Sequence, residues 1–159
     1  MTTIKSILAM GLLILVFGAI GTAQAQDSVG TISEAEGEVV VIRADGCGDN
    51  TVGEGAYMYQ NDTAFVGPES SATINFIDAT LMTLGADSAV TIDELVYDPA
   101  GQHSSASFDL AGGRLGLVSG DIAKSGDMVV TTPVSTIGIR GTTLPVKAVG
   151  VFRAANGQI

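Results

Sequence analysis

A single His and a single Cys bound what this chain can do as a catalyst. His103 sits in the polar stretch DPAGQHSS and Cys47 in the Gly- and Asp-rich stretch DGCGDN. Nucleophilic catalysis needs a nucleophile and a base held together, with a third group to orient the base. No flanking pattern joins Cys47 to His103, so His103 reads as a solvated loop residue. A nucleophile elbow fails at Ser119, because Leu117 stands where the first Gly of G-x-S-x-G belongs. The Gly-rich stretches GADS and AGGR lack the Lys-Ser/Thr that a phosphate loop needs. The residues therefore point away from an enzyme.

Carboxylates are the abundant chemistry. Glu34, Glu36 and Glu38 alternate along one predicted strand face, and Asp93, Glu94 and Asp98 flank LVY. A glycosidase needs two carboxyls opposed across a cleft, with aromatics to stack the sugar; this chain has no Trp. Like charges at strand spacing read instead as a solvated face. Asp45, Asp49, Asn50 and Glu54 offer oxygen ligands of the kind calcium prefers. Their spacing matches neither an EF-hand nor the repeat of calcium β-rolls, and the same residue types build ordinary turns. No cofactor and no metal site is expected.

The most distinctive segment is TTPVSTIGIRGT at 131–142. Pro133 interrupts a ladder or marks an edge, while Gly138 and Gly141 permit tight turns or close backbone approach. Arg140 is a cation among apolar neighbours in a chain with 7 Lys+Arg against 17 Asp+Glu. Pairing with a carboxylate is the usual way to hold such an Arg, so a structural ion pair is expected for it. Pro133, Thr136, Gly138, Arg140, Gly141 and Thr142 form the candidate structural or contact motif.

The elements that must carry these residues are almost all strands. Ile74 and Phe76 alternate with Thr73 and Asn75, and Val90 and Ile92 with Thr91 and Asp93, a period of two with one buried face per strand. Runs at 38–42, 72–77, 80–84, 89–92, 105–110, 114–118, 128–132 and 135–139 are separated by turn chemistry: GPESS, GADS, DPAGQ, AGG, SGD and KSGD. The 21 Gly, about twice the usual ~7 %, agree with many turns. The best helical stretch, LVSGDIA at 117–123, holds Gly120 in its middle and supports a turn or two at most. The expectation is an all-β domain of about ten short strands, arranged as a sandwich, a roll or a short solenoid.

Compartment follows from the N-terminus. Lys5 precedes an apolar run from Ile7 to Ile20, and Ala23-Gln24-Ala25 supplies small residues for cleavage before Gln26. The run is shorter than the roughly 18–20 residues of a membrane span. Residues 1–25 thus read as a cleaved signal peptide, 26–142 as the all-β domain, and 143–159 as a C-terminal extension, complete or truncated, with Pro145 breaking a strand begun at Thr142. An exported chain with an odd Cys leaves an intermolecular disulfide through Cys47 open. The formal charge of -10 argues against nucleic acid or an anionic membrane surface as a partner.

With these residues in view, the chain resembles the FecR-like domain family. The matching stretches are GTISEAEGEVVVIRADG at 30–46, SSATINFIDATLMTLGADSAVTIDELVYDP at 70–99, and GGRLGLVSGDIAKSGDMVVTTPVSTIGIRGT at 112–142. The resemblance implies an all-β domain of the bacterial envelope, known best from the periplasmic part of anti-sigma regulators that sense a TonB-dependent iron-siderophore receptor. Those regulators place a cytoplasmic helical part and a membrane span before the domain and an α/β subdomain after it. Neither is expected here, so anti-sigma activity does not transfer. The expectation is an exported, non-enzymatic module, periplasmic or at the surface, that contacts an unknown envelope protein. The alternatives are a sensing module for a small ligand or metal chelate tied to iron uptake, and a calcium-binding surface domain.

Overall fold

The computed structural model describes residues 27–46, 49–100, 103–141 and 143–148. The expected leader at 1–25, Cys47, Thr142 and most of the extension lie outside the described residues. Strands β1 (Gly30–Glu36), β2 (Val39–Ile42), β3 (Asp49–Thr51), β4 (Tyr57–Met58), β5 (Thr63–Val66) and β6 (Ser71–Phe76) are followed by β7 (Leu81–Leu84), β8 (Ser88–Val96) and β9 (Ser105–Val118). One helical turn, α1 (Ile122–Ser125), leads to β10 (Met128–Thr132), β11 (Ser135–Ile139) and β12 (Thr143–Ala148). The fold is all-β, and of the three expected arrangements it is closest to a roll: a single 12-stranded sheet curls into a half-barrel.

The curl comes from β9. Its first part pairs with β8 and β10, its last part with β7 and β12. Half A is thus ordered β4-β1-β6-β7-β9-β12, and half B β3-β2-β5-β8-β9-β10-β11. Among the described residues every pairing is antiparallel except β9 with β10, which α1 makes by carrying the chain back. The apolar runs face one core containing Ile32, Ile74, Met82 and Leu117 from half A and Val41, Ile92, Phe108 and Val130 from half B. The halves meet where the rings of Phe76 and Phe108 lie 5.2 Å apart, a contact that adds about 1 kcal/mol beyond its buried area.

Two sequence expectations fail at this point. AGG at 111–113 is no turn between two strands but a bulge inside one strand of 14 residues. Ala89 faces Gly112 while Val90 faces Leu110, so Ala111 is the extra residue. The buried set accordingly changes parity, from Ala106, Phe108 and Leu110 to Leu115 and Leu117. Gly113, at φ 95°, takes the sharpest step, and a Cβ there would stand 2.4 Å from Ser88 Cα. The Ser88 hydroxyl receives the Arg114 N–H at 2.9 Å and donates to the Arg114 carbonyl at 3.0 Å, pinning the bend. The β1–β2 corner repeats the device: Gly37 has φ 77° over Ser70, whose hydroxyl receives the Glu38 N–H.

Pro145 likewise does not end a strand. It pairs with Gly116 in the middle of β12, which among the described residues is an edge strand bonded to β9 alone. Alternate N–H groups of an edge strand point away from the ladder, so a Pro costs no bond there. Strands β3, β4 and β5 answer to none of the expected runs: β3 begins at Asp49 and Asn50, residue types that also build ordinary turns, and β4 and β5 lie between the runs at 38–42 and 72–77. Glu34 and Glu36 do share a face of β1, but Glu38 falls beyond the Gly37 corner and off that face.

Candidate functional site

Within the motif, residues 131–141 make up the end of β10, the turn, β11 and the residue pair that leaves it. Thr132 faces Ser135 across a two-residue turn, Pro133-Val134. Pro fixes φ near −65°, and neither turn residue has positive φ, so this is not the primed turn that matches strand twist. Side-chain bonding compensates: Thr132 Oγ1 receives the Ser135 N–H at 3.0 Å and lies 3.0 Å from the Ser135 carbonyl, to which it donates. Pro133, Thr136 and Gly138 are exposed, Val134 is 87 % exposed, and only Ile139 of β11 is buried. Strand β11 bonds β10 on one side and no described strand on the other.

Arg140 departs from its expected role. It is exposed, and neither of the two ion pairs among the described residues includes it. It lies beside Gly126, where an added Cβ would approach its Nε to 3.4 Å. The structural Arg is instead Arg43, bonded to Asp62, a carboxylate only 2 % exposed, with its guanidinium 5.0 Å from the Tyr59 ring centre. Asp62 Oδ2 also accepts the Tyr59 N–H at 2.9 Å, and Oδ1 the Ala44 N–H at 3.3 Å. Gly141 follows Arg140 at φ 53°, the left-handed step that lets the chain turn from half B to β12 in half A.

What positions the hairpin is a second buried carboxylate that the sequence reading passed over. Asp78, at the β6–β7 tip, accepts the Thr80 N–H at 3.1 Å, the Thr80 hydroxyl at 2.7 Å and the Ile122 N–H at 3.3 Å. Its carbonyl accepts the Asp121 N–H at 2.9 Å, and Thr80 Oγ1 accepts the Gly120 N–H at 2.9 Å. Gly120 allows this approach, since a Cβ there would stand 2.1 Å from the Asp78 carbonyl. The clamp fixes the start of α1 and hence the entry to β10. Its only sequence signal is D-x-T in FIDATL, a spacing that many Asx turns share.

Beside α1, Tyr97, Asp98, Asp121 and Lys124 line a hollow of about 210 Å³. Asp121 accepts the Lys124 ammonium at 2.6 Å and the Tyr97 hydroxyl at 3.0 Å. The Lys124 bond, then the Tyr97 bond, hold the Asp121 carboxyl below its usual range, while Asp121 raises both Lys124 and Tyr97. All three are thereby moved away from titration at neutral pH, where a general acid or base must work. His103 is exposed. Among the described residues no group of three His, Cys, Asp or Glu is arranged to hold a metal ion, and no helix is long and apolar enough to cross a membrane.

Neither a curated protein nor a solved structure matches the chain. A family model does: the FecR protein family, over residues 62–155, from the Asp62 turn through β12 and past it. The family is envelope-associated and concerned with signalling. The match covers more than half of the chain, together with the curled all-β sheet, and the chain belongs to the FecR protein family.

Proposed function

We propose that this chain is an exported, non-enzymatic protein-interaction module of the bacterial envelope, and that the β10–β11 hairpin is its contact element. The observation that supports this reading is the state of that hairpin. An edge strand with one unbonded side is a template for a strand from another chain. In β11 that side carries Ser135, Thr136 and Gly138, all exposed and none charged, so nothing there repels an incoming strand. Val134 stands at the tip, 87 % exposed. Arg140 sits at the far end without an ion pair among the described residues, and supplies the one charge-assisted contact of the element.

The test is a cross-linked pull-down of the tagged protein from an envelope fraction, with wild type beside Thr136→Lys/Gly138→Lys and Arg140→Ala. Both positions of the double variant are exposed, so its melting temperature should match wild type while recovery of the captured protein falls. Equal recovery with the edge-blocked variant would remove the hairpin from the reading. An empty pull-down from folded wild type would turn attention to calcium or ferric citrate, tested by calorimetric titration.

A further inference from the structure

On half A, the register of five strands sets outward side chains in rows. Across β1, β6, β7, β9 and β12, one row runs Glu34, Thr73, Thr83, Gly116, Pro145. The row beside it begins with the pair Glu36–Ser71, passes Gly85, whose N–H bonds the Arg114 carbonyl, and ends with the pair Arg114–Lys147. A third pairs Asn75 with Leu81, Leu81 with Val118 and Val118 with Thr143. The face is thus acidic along β1, where Glu54 joins Glu34 and Glu36 around a hollow of about 420 Å³. It is basic along β9 and β12, where Arg114 and Lys147 border a second hollow of about 360 Å³ over Gly116. Between them lie small neutral residues.

Arg114 and Lys147 are directly opposed across two strands, a juxtaposition of like charges that costs stability. Neither belongs to an ion pair among the described residues. Nor do the β1 carboxylates of the same face reach them, because β1 lies four strands from Lys147 on β12 and three from Arg114 on β9, about 19 Å and about 14 Å at the ~4.8 Å strand spacing. In a chain this acidic, two adjacent unpaired cations are a notable use of a scarce residue type.

We propose that this face pairs with the same face of a second copy of the chain, about a two-fold axis lying over β7 and parallel to it. The charges select that axis. Rotation about it reverses the order of strands but keeps each row at its own level, so Lys147 of one copy faces Glu36 of the other, twice, with Arg114 over Ser71 one strand in and Glu34 over Pro145 one row away. An axis across the strands would set acid on acid. With the axis over the central strand, Leu81, 37 % exposed, meets its own symmetry mate, and Thr83 does likewise. The central residues are small enough for two sheets to approach. The face is narrow beside the roughly 800 Å² per partner of a stable dimer, so the association is weak and falls with salt.

The experiment is sedimentation equilibrium of the purified protein under reducing conditions, at low and high salt, with zero-length carbodiimide cross-linking read by mass spectrometry. Reducing conditions exclude a Cys47 disulfide. The expected result is self-association at low salt and a cross-link between Lys147 and Glu34 or Glu36, which within one copy are too far apart to join. Arg114→Glu/Lys147→Glu and Glu34→Lys/Glu36→Lys should each weaken self-association by roughly tenfold or more, and mixing the two should restore it as a heterodimer. A monomer at every concentration and salt, or a dimer that lacks the cross-link, overturns the proposal. So does a dimer unaffected by either reversal, which would place the contact elsewhere. The cross-link reads wild type alone and so stands if a variant fails to fold.

Discussion

Replacing Asp78 tests how the hairpin is held in place. The side chain is buried, 1 % exposed as a residue, and accepts two backbone N–H groups and one hydroxyl from segments 44 residues apart at their widest. In Asp78→Ala the Thr80 and Ile122 N–H groups lose their acceptor, and each stranded buried donor costs about 1–3 kcal/mol. The Thr80 hydroxyl can turn, so it adds little. The expected loss is therefore about 3–5 kcal/mol, a large share of the roughly 5–15 kcal/mol that holds a domain together. Asp78→Asn keeps one oxygen for the Thr80 N–H but sets an amide NH₂ against the Ile122 N–H, for a loss of about 1–2 kcal/mol. Urea unfolding gives both numbers, and amide exchange at Gly120 and Ile122 reports whether the clamp opens locally. Gly120→Ala drives a Cβ into the Asp78 carbonyl and should break the same joint, so its effect and that of Asp78→Ala should fall short of additivity. A loss below about 1 kcal/mol for Asp78→Ala, with exchange unchanged, would refute the reasoning, since it would mean water satisfies these donors at no cost.

Gly113→Ala should destabilise by about 3 kcal/mol or more, because its Cβ meets Ser88 backbone at a positive φ; a thermal melt within a degree of wild type would contradict the bend. Asp62→Asn leaves the Arg43 guanidinium facing a neutral amide and should cost about 3 kcal/mol, with little salt dependence in urea titrations because Asp62 is buried. Arg140→Ala should leave unfolding unchanged within about 0.5 kcal/mol, as for other exposed side chains. Burial, then the nearby Asp109 charge, raises the Asp93 carboxyl pKa. Its contribution to stability is therefore fully present in acid below the ordinary carboxylate range and is lost as pH rises through the raised folded value. Asp93→Asn should accordingly melt higher than wild type at pH 7, with the gap closing in acid, as a pH series of melts would show.

The alternating runs made half of this fold readable and concealed the other half. Ile74, Phe76, Val90 and Ile92 are buried as period two requires, and their neighbours Asn75 and Asp93 are exposed. Bulges are what defeat the pattern. Ala111, Asp93 and Ser33 are each one extra residue in a ladder, and one extra residue reverses which side chains face the core. In β9 the Gly-rich bulge reads as a turn from sequence because composition is the same for both. The short strands β3, β4 and β5 hold no long apolar run, and β5 is a strand because β2 and β8 flank it. The scarcity of cations predicts an ion pair for Arg140, whereas Arg43 has one. The deciding fact is a long-range one, the burial of Asp62 at a turn, and local sequence does not carry it.

The candidate hairpin and the charged face belong to different halves of the sheet, and β9 is the one strand both halves share. Strand β11 reaches β9 only through β10, while the charged rows end on β12, bonded to the other end of β9. Pairing through half A therefore leaves the β11 edge free, and a two-fold dimer would present two such edges at a fixed separation. A partner with two matching strands would then bind with the effective concentration of a tethered site rather than once per chain. It follows that Arg114→Glu/Lys147→Glu, which touches nothing in the hairpin, should weaken capture of a multivalent partner and leave capture of a single strand unchanged. Equal loss for both would tie the two surfaces through the fold itself, and the Asp78 clamp would be the place to look.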